Sequence, residues 1–328
     1  MENKINKIGV FTSGGDAPGM NAAIRAVVRA CAYYKKEAYG IMRGYEGMIE
    51  GDFVKLGARS VGNIIQRGGT ILKTARSDEF KTPEGRKLAY ENLKEEGIDA
   101  LVAIGGDGTF NGLHRFYEER QIPSICIPGT IDNDLPGTDF TIGYDTATNT
   151  AVEAIDKIRD TALSHNRLFF VEVMGRNSGY IAVNSGIAGG ATAIILPEEQ
   201  MTFDQLFNIL GAEKDTTKKS NLVVVAEGST IGDANSLAKR VAERSSYFDI
   251  KVTILGHLQR GGSPTYFDRV LASKMGIAAV EGLLDGKKDV MVGLKNNKIV
   301  YNDFDSIMKA KFHEIDGEAL RIARILSI

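Results

Sequence analysis

Short, mostly apolar runs recur along the chain, and glycine-rich turns and segments of helical periodicity separate them. The runs at 7–11, 100–104, 124–127, 168–173, 193–196, 222–226 and 251–255 predict strands that are buried on both faces. Helical periodicity follows the first run as far as residue 34 and the second as far as residue 120, and a long helix is predicted beyond Tyr144. Since buried strands that alternate with helices are typical of parallel sheets, the pattern favours an α/β fold.

Two local signals predict where elements begin and end. Thr82 as N-cap, Pro83 at the first helical position and Gly97 just beyond the end predict a helix over 82–96. Pro128 is expected to end the strand that begins at Ser124. The polar stretch 214–220 is expected to form an exposed turn between a helix and a strand.

The chain length predicts more than one domain. A chain of 328 residues exceeds one ordinary core, which favours two domains of roughly 150 residues each. No linker rich in Pro or Ser separates two halves, so we expect several chain crossings to join the domains. The predicted fold class is α/β, with two doubly wound, Rossmann-like three-layer α/β/α domains and mostly parallel sheets.

Composition excludes several classes of protein. With 43% hydrophobic and 25% charged residues and no collagen-like period, the chain is neither disordered nor fibrous. Its apolar runs are far shorter than the roughly 20 residues of a membrane-spanning helix, and no secretory signal is expected at its start. A net charge of −2 argues against a nucleic-acid partner, and the two cysteines, Cys31 and Cys126, are too few for a disulfide framework. We therefore expect a cytoplasmic protein whose cysteines are small core residues.

Glycine is the unusual component, at 37 of 328 residues or about 11% against an ordinary ~7%. Clusters follow the first two predicted strands, where a missing side chain lets backbone N–H groups and a helix N-terminus approach an anion. Two such loops favour a polyphosphate ligand, although either could be merely a tight connection. The spacing matches neither the GxGxxG fingerprint nor the GxxxxGK[ST] loop, and the HExxH, HRD and DFG motifs are absent. The clusters comprise Gly14, Gly15, Gly19, Gly105, Gly106 and Gly108.

Three acidic residues accompany these loops. Asp107 would repel phosphate unless a Mg²⁺ ion lies between them, and the alternative is that it caps a helix. Asp132 and Asp134 stand two apart beside Thr130, and on an extended segment they would point to one side. They suit phosphoryl transfer, which needs a base for the acceptor hydroxyl group and a metal-bound phosphate. The alternative is a turn without catalytic function.

Basic residues provide the positive charge that phosphoryl transfer needs. Arg76, Arg176, His257 and Arg260 all stand in glycine-containing segments, and ordinary surface charge is the alternative for each arginine. His114, His165 and His313 have no comparable context.

Six segments of the chain carry a more specific resemblance: TSGGDAPGMNAAIR, IIQRGGTILKTAR, IGGDGT, PGTIDND, VEVMGRNSG and LGHLQRGGSPTYFDR. In this order they resemble those of the bacterial ATP-dependent 6-phosphofructokinases, the phosphofructokinase A family, and the resemblance covers essentially the whole chain. GGDGT also resembles NAD and diacylglycerol kinases, whereas the last three segments are specific. The resemblance implies a phosphofructokinase-like fold with an ATP-binding domain at 1–143 and 259–309 and a fructose 6-phosphate-binding domain at 144–258 and 310–328.

The resemblance also implies an activity and a site. MgATP would phosphorylate the 1-hydroxyl of fructose 6-phosphate, giving fructose 1,6-bisphosphate and ADP in glycolysis. Asp132 resembles the general base, with Thr130, Asp134, Arg76 and Arg176 as the other catalytic residues. Asp107 resembles the Mg²⁺ ligand. The residues that resemble the family's ATP-binding residues are Gly15, Arg76, Ser77, Gly106, Asp107, Gly108 and Thr109. The sugar phosphate would contact Thr130, Ile131, Asp132, Arg167, Met174, Gly175, Arg176, Glu227, Lys251, His257, Leu258, Gln259 and Arg260.

The family adds expectations about assembly and regulation. In it, the residues matching Arg167 and Lys251 reach across from a neighbouring subunit, so a homotetramer is implied. A phosphorylated effector, ADP or phosphoenolpyruvate, would bind at Arg25, Arg29, Arg159, Gly190 and Lys218. Ala58, Thr192 and Thr216 depart from the family at that site, which puts activation by MgADP in doubt. Lys251 stands where arginine is usual and loses the planar fork, so we expect weaker or altered 6-phosphate binding.

Other functions fit the same residues less well. Pyrophosphate-using relatives commonly have aspartate in place of Gly108 and lysine in place of Gly129, so this sequence favours ATP. A metabolite sensor would have lost Asp132, Asp107 or Arg76, and a lipid or NAD kinase would not need PGTIDND. Sedoheptulose 7-phosphate or tagatose 6-phosphate remains open as a second substrate.

Overall fold

Strands and helices alternate along most of the chain, as the apolar pattern predicts. The computed structural model describes residues 5–162, 167–212, 221–310, 315 and 317–326. Its strands are β1 Lys7–Thr12, β2 Glu37–Ile41, β3 Phe53–Leu56, β4 Ala100–Gly105, β5 Ser124–Thr130, β6 Ile142–Gly143, β7 Arg167–Val173, β8 Ala193–Ile195, β9 Asn221–Ala226, β10 Asp249–Ile254, β11 Val290–Lys295 and β12 Lys298–Asp303. Its α-helices are α1 Met20–Tyr33, α2 Tyr45–Glu50, α3 Pro83–Glu96, α4 Asp107–Arg120, α5 Tyr144–Ala162, α6 Tyr180–Ala188, α7 Phe203–Ala212, α8 Ala234–Arg244, α9 Tyr266–Leu284, α10 Phe304–Lys309 and α11 Gly317–Leu326.

The chain forms two compact units. The first comprises Met1–Ile131, Leu135–Asp145 and Arg260–Phe312, and the second comprises Asp132–Asp134, Thr146–Gln259 and His313–Ile328. The chain therefore passes between the units several times. Assigning ATP to the first unit and the sugar phosphate to the second stays a prediction.

The sheet of the first unit has the strand order β12-β11-β5-β4-β1-β2-β3, with β6 paired to the end of β5. Its inner pairs are parallel, and β3 and β12 are antiparallel to their neighbours. The second unit has a sheet of order β10-β7-β9-β8 in which every pair of the described strands is parallel. The mostly parallel α/β architecture expected from the sequence is confirmed.

Each unit has its own apolar core. In the first, Phe11, Phe110, Phe116 and Phe304 are buried together beside the sheet. In the second, α7 and α8 pack Leu206, Leu237 and other apolar residues against β7 and β9. Burying one such side chain contributes roughly 1.5–3 kcal/mol, so these cores hold the strand ends that carry the loops.

Helix α3 shows how local sequence sets an element boundary. Thr82 is its N-cap and accepts a hydrogen bond from the Gly85 amide at 3.0 Å. Pro83 is the first helical residue, and Gly97 ends the helix in the left-handed region at φ 76°. All three features agree with the prediction.

Pro128 does not end its strand, so that expectation is wrong. β5 continues to Thr130 because Gly105 pairs with Pro128 on one side, and Gly129 and Thr130 pair with β6 further along. The apolar runs did not predict strands β2, β3, β6, β11 and β12. The stretch 214–220 lies outside the described residues, as do His165 and His313.

The two cysteines are core residues, as expected. Cys31 and Cys126 are both fully buried, and neither is in a disulfide. Burial raises the pKa of the Cys31 thiol to about 12 and also raises that of Cys126, so both are unreactive thiols. No helix among the described residues is long and apolar enough to cross a membrane.

Candidate active site

The turn from β4 into α4 approaches its neighbours so closely that it needs glycine. A Cβ on Gly105 would lie 2.4 Å from Thr109 Oγ1 and 2.7 Å from the Ser13 carbonyl oxygen. A Cβ on Gly108 would meet nothing within 4 Å, so this position faces open space. Thr109 is buried, and its hydroxyl has no hydrogen-bond partner among the described residues. The backbone N–H groups at this helix N-terminus fit a phosphate oxygen.

Asp107 is exposed at the first position of α4, and Gly106 is the N-cap, so the helix-cap alternative for Asp107 is wrong. The Asp107 carboxylate accepts a hydrogen bond from Asn111 Nδ2 at 3.0 Å. No group of three or more His, Cys, Asp or Glu side chains that could hold a metal occurs in the described part of the chain. A single exposed carboxylate suits Mg²⁺, which takes most of its ligands from phosphate and water.

The loop after β1 meets the Asp107 loop. The Ser13 amide donates to the Ile104 carbonyl at 3.1 Å, which joins the ends of β1 and β4. Gly14 has a left-handed φ of 81° and lies close to the Thr109 hydroxyl. Both predicted phosphate loops therefore converge on Thr109.

The segment that leads to Arg76 is tied to the same strand and helix. The Thr12 hydroxyl lies 2.8 Å from that of Thr70, and Asn21 Oδ1 accepts from the Ile71 amide at 2.8 Å. Arg76 and Ser77 follow, and they line a cavity of about 240 Å³. Its other lining residues are apolar or acidic: Glu46, Ile49, Glu50, Asp78 and Glu79.

Tyr45 is a site residue that sequence reasoning missed. Its hydroxyl donates to the Thr109 carbonyl at 2.5 Å, and its ring stacks on Phe80 with centroids 4.0 Å apart. Tyr45 thus holds the first turn of α4 next to the segment that follows Arg76. A lone tyrosine at the start of a short helix gives no sequence signal for such a long-range contact.

Asp132 lies just beyond the end of β5 and is almost fully buried, at 3% exposure. Its carboxylate oxygen Oδ2 is 3.6 Å from Arg176 Nε. The expected extended segment is wrong here, because Asn133 has a left-handed φ of 50°. The strand-like alternation that would place Asp132 and the half-buried Asp134 on one side is therefore absent at this point of the chain.

The flanking residues of this loop are held in the first unit. The Thr130 carbonyl accepts a hydrogen bond from the Thr141 hydroxyl at 2.7 Å. Ile131 is fully buried, so a contact of Ile131 with substrate would involve its main chain.

The loop at 174–179 presents Arg176 in a constrained conformation. Arg176 has a φ of 53°, and a Cβ on Gly228 would lie only 2.0 Å from the Arg176 carbonyl oxygen. The Glu227 carboxylate accepts from the amides of Gly175 and Arg176 at 3.2 and 2.7 Å. Glu227 therefore supports the backbone of Arg176 in addition to its predicted role at the sugar.

Residues 256–260 form one short 3₁₀ helix, and their side chains have different environments. His257 and Leu258 are exposed, whereas Gln259 is fully buried and accepts from the Met174 amide at 2.9 Å. Arg260 belongs to the first unit, where it donates to the Asp16 carbonyl at 3.0 Å beside Gly15. The geometry gives Gln259 a role in positioning Met174.

The two predicted cations on β7 and β10 share one carboxylate. Lys251 Nζ is 2.8 Å from Asp249 Oδ1, and Arg167 Nε is 3.3 Å from Asp249 Oδ2. Hydrogen bonding to Lys251, followed by that to Arg167, lowers the pKa of Asp249. The structure brings Arg167 and Lys251 together, and Asp249 is a counter-ion that sequence reasoning missed.

The predicted effector residues lie in both units. Arg25 and Arg29 stand one turn apart on α1, and burial together with the charge of Arg29 lowers the pKa of Arg25. In the second unit, Arg159 donates to the carbonyls of Gly189 and Gly190 at 2.6 and 3.3 Å. Lys218 and Thr216 lie outside the described residues.

Comparisons with known proteins agree with the resemblance. A protein-family model described as Phosphofructokinase matches residues 7–283. The ATP-dependent 6-phosphofructokinase of Cytophaga hutchinsonii is 55% identical over 324 residues, which cover 98% of each chain. The phosphofructokinase structure from Saccharomyces cerevisiae has a TM-score of 0.87 at 35% identity, covering 98% of this chain and 46% of that one. A pyrophosphate-dependent phosphofructokinase from Marinobacter aquaeolei shares the fold, with a TM-score of 0.85 at 20% identity over 98% of this chain and 91% of that one.

Proposed function

Because this chain belongs to the phosphofructokinase family, we propose that it is an ATP-dependent 6-phosphofructokinase. It transfers the γ-phosphoryl group of ATP to the 1-hydroxyl of fructose 6-phosphate, which gives fructose 1,6-bisphosphate and ADP. The observation that carries this proposal is the buried Asp132 carboxylate facing Arg176, at the end of a strand whose sheet also presents two glycine-rich loops.

The glycine-rich loops of the first unit bind the ATP phosphates. Backbone N–H groups at the start of α4, that of Thr109 among them, and Arg76 supply the donors and the positive charge. Small residues let the backbone of this surface approach the nucleotide closely. They are Gly15, Ser77, Gly106 and Gly108. Asp107 would hold a Mg²⁺ ion, which neutralises phosphate charge when bound.

Asp132 is the general base for the acceptor hydroxyl. It takes the 1-hydroxyl proton as the oxygen attacks phosphorus, and Arg176 offsets negative charge on the transferring group. Thr130 and Asp134 flank the base, toward the phosphates and toward the metal respectively. Met174, Gly175 and Glu227 form the sugar pocket on the same loop system that holds Arg176.

Arg167, Lys251, His257 and Arg260 bind the 6-phosphate. Arg167 and Lys251 both contact the Asp249 carboxylate. When the phosphate dianion binds, it replaces Asp249 as the anion that these two cations contact. The family pattern in which these two residues serve a neighbouring subunit supports a homotetramer. The buried, unpaired cysteines are consistent with a cytoplasmic enzyme.

We expect Lys251→Arg to lower the KM for fructose 6-phosphate by about two- to fivefold. A planar guanidinium binds phosphate through two parallel hydrogen bonds, and each exposed ionic contact contributes about 0.2–1 kcal/mol. Steady-state kinetics at saturating ATP measure the effect, with Lys239→Arg on the exposed face of α8 as the control. An unchanged KM would mean that Lys251 does not contact the 6-phosphate.

A phosphorylated effector, ADP or phosphoenolpyruvate, binds at the basic residues Arg25, Arg29, Arg159 and Lys218 together with Gly190. Burial, followed by the charge of Arg29 one turn away, lowers the pKa of Arg25, and an anion bound between the two would offset their repulsion. Thr192 is buried and neutral where relatives carry a metal-binding glutamate, so phosphoenolpyruvate is the better candidate.

Arg25→Ala should weaken inhibition by phosphoenolpyruvate at least tenfold while leaving kcat unchanged without effector. The loss of a charge-assisted contact to phosphate costs about 1.5–3 kcal/mol. The measurement is the effector concentration at half-maximal inhibition. An unchanged value would make the basic pair an ordinary solvated helix face.

The function itself is tested by a coupled assay with fructose 6-phosphate, comparing ATP with pyrophosphate as donor. We expect turnover with ATP and none with pyrophosphate. The space beside Gly108, where pyrophosphate-using relatives have aspartate, is open, and Gly129, where they have lysine, is buried against Ile104 and Met20. Turnover with pyrophosphate alone would overturn the proposal. The same assay with sedoheptulose 7-phosphate and tagatose 6-phosphate tests for secondary substrates.

A further inference from the structure

The loop at 174–179 is fixed by acceptors from three other segments. Gln259 accepts from the Met174 amide, Glu227 from the amides of Gly175 and Arg176, and Glu198 from the Gly179 amide at 2.8 Å. The loop therefore has little freedom to move as a unit.

Within this loop, Ser178 closes a tight turn. Its amide donates to the Gly175 carbonyl at 2.9 Å. Gly175 has a φ of 142°, and a Cβ there would lie 2.3 Å from the Ser178 carbonyl oxygen, so the turn requires glycine. The position of the Ser178 Cβ atom is thus set by the backbone of this turn.

The Ser178 hydroxyl points at the main chain of Asp132. It donates to the Asp132 carbonyl at 2.8 Å, and both residues are buried, at 5% and 3% exposure. The same turn therefore contacts Asp132 at two places, through Ser178 at the backbone and through Arg176 at the carboxylate.

We propose that Ser178 is a positioning residue for phosphoryl transfer, whose hydroxyl holds the backbone of Asp132 so that the carboxylate meets the acceptor hydroxyl. This inference rests on the proposed function, in which Asp132 is the base. Asp132 stands beyond the end of β5 and beside Asn133 in the left-handed region, so the strand ladder does not fix its backbone. Misplacement of a reacting group by about 1 Å can cost about a hundredfold in rate.

The test compares Ser178→Ala with Ser185→Ala. Ser185 is fully buried in α6, and its hydroxyl donates to the Ile181 carbonyl at 2.6 Å, so the control loses a similar buried hydrogen bond away from Asp132. We expect Ser178→Ala to lower kcat about tenfold, with KM for both substrates within twofold of wild type. Ser185→Ala should leave kcat unchanged.

A conservative series provides the second readout. Ser178→Thr keeps the hydroxyl and should restore most of kcat, while Ser178→Cys keeps a weaker donor and should give an intermediate value. A wild-type kcat in Ser178→Ala would overturn the inference. If Ser178→Ala does not fold, a wild-type kcat in Ser178→Cys would overturn it equally.

The inference and the proposed function fail in different ways. If Asp132→Asn retains full turnover, Asp132 is not the base and the proposed mechanism fails first. If Asp132→Asn is inactive and Ser178→Ala is fully active, the mechanism stands and only the role of Ser178 is wrong.

Discussion

Asp132→Asn should lower kcat by roughly 10²–10⁴, with KM for ATP and fructose 6-phosphate changed by no more than a few-fold. Asparagine has nearly the same shape but cannot accept the proton of the attacking hydroxyl. Because Asp132 is buried at 3% exposure and Arg176 Nε is 3.6 Å from its carboxylate, the substitution removes a charge from a shielded site. Steady-state kinetics with both substrates varied separate the loss in kcat from any change in binding.

Asp139→Asn is a suitable control for this variant. Asp139 accepts a hydrogen bond from the Asn296 amide at 2.7 Å and is not among the proposed catalytic residues. It should retain near-normal kcat, whatever its effect on stability. Normal turnover in Asp132→Asn would remove Asp132 from the mechanism.

Gly108→Asp should lower kcat/KM for ATP about a hundredfold and leave the melting temperature unchanged or slightly raised. The new side chain meets nothing within 4 Å, and an acid in the first turn of α4 interacts favourably with the helix N-terminus. The same charge placed about 5 Å from a phosphate repels it by about 3 kcal/mol at an effective dielectric constant of 20. Thermal unfolding and ATP kinetics on one preparation measure both effects.

Gly317→Asp supplies the matched control. Gly317 is the first residue of α11, and a Cβ there also meets nothing within 4 Å. The substitution adds an identical charge in the first turn of another helix, and ATP kinetics should not change. Equal losses in both variants, or no loss in Gly108→Asp, would mean that phosphates do not bind beside Gly108.

Signals carried by neighbouring residues were enough to predict much of the fold. Helix α3 is specified by Thr82, Pro83 and Gly97, which act within a turn of the helix ends. The buried parallel strands are continuous apolar runs, and their ends locate the glycine loops. Short antiparallel edge strands such as β3, with exposed Val54 and Lys55, have no comparable run of apolar residues.

The arrangement of the candidate site could be predicted only in part. The family resemblance names Asp132 and Arg176, but not the left-handed Asn133 that separates Asp132 from Asp134. Tyr45 and Ser178 act through contacts 64 and 46 residues away in the chain, and spacing along the sequence does not reveal such contacts. Asp249 was missed for another reason, since its role depends on two strands that bring Arg167 and Lys251 to one carboxylate.

The packing around Gly129 limits how the phosphoryl donor can change in evolution. A Cβ at this position would lie 3.1 Å from Ile104 Cγ2 and 3.3 Å from Met20 Cε, so the lysine of pyrophosphate-using relatives would require both side chains to shift by a few tenths of an ångström. Overpacking of this kind costs about 1–3 kcal/mol, and Gly108 has no such barrier. A lineage could therefore lose ATP use in one step at residue 108, whereas a lysine at residue 129 would also require Ile104 and Met20 to shift. The donor preference is protected by core volume as well as by phosphate contacts.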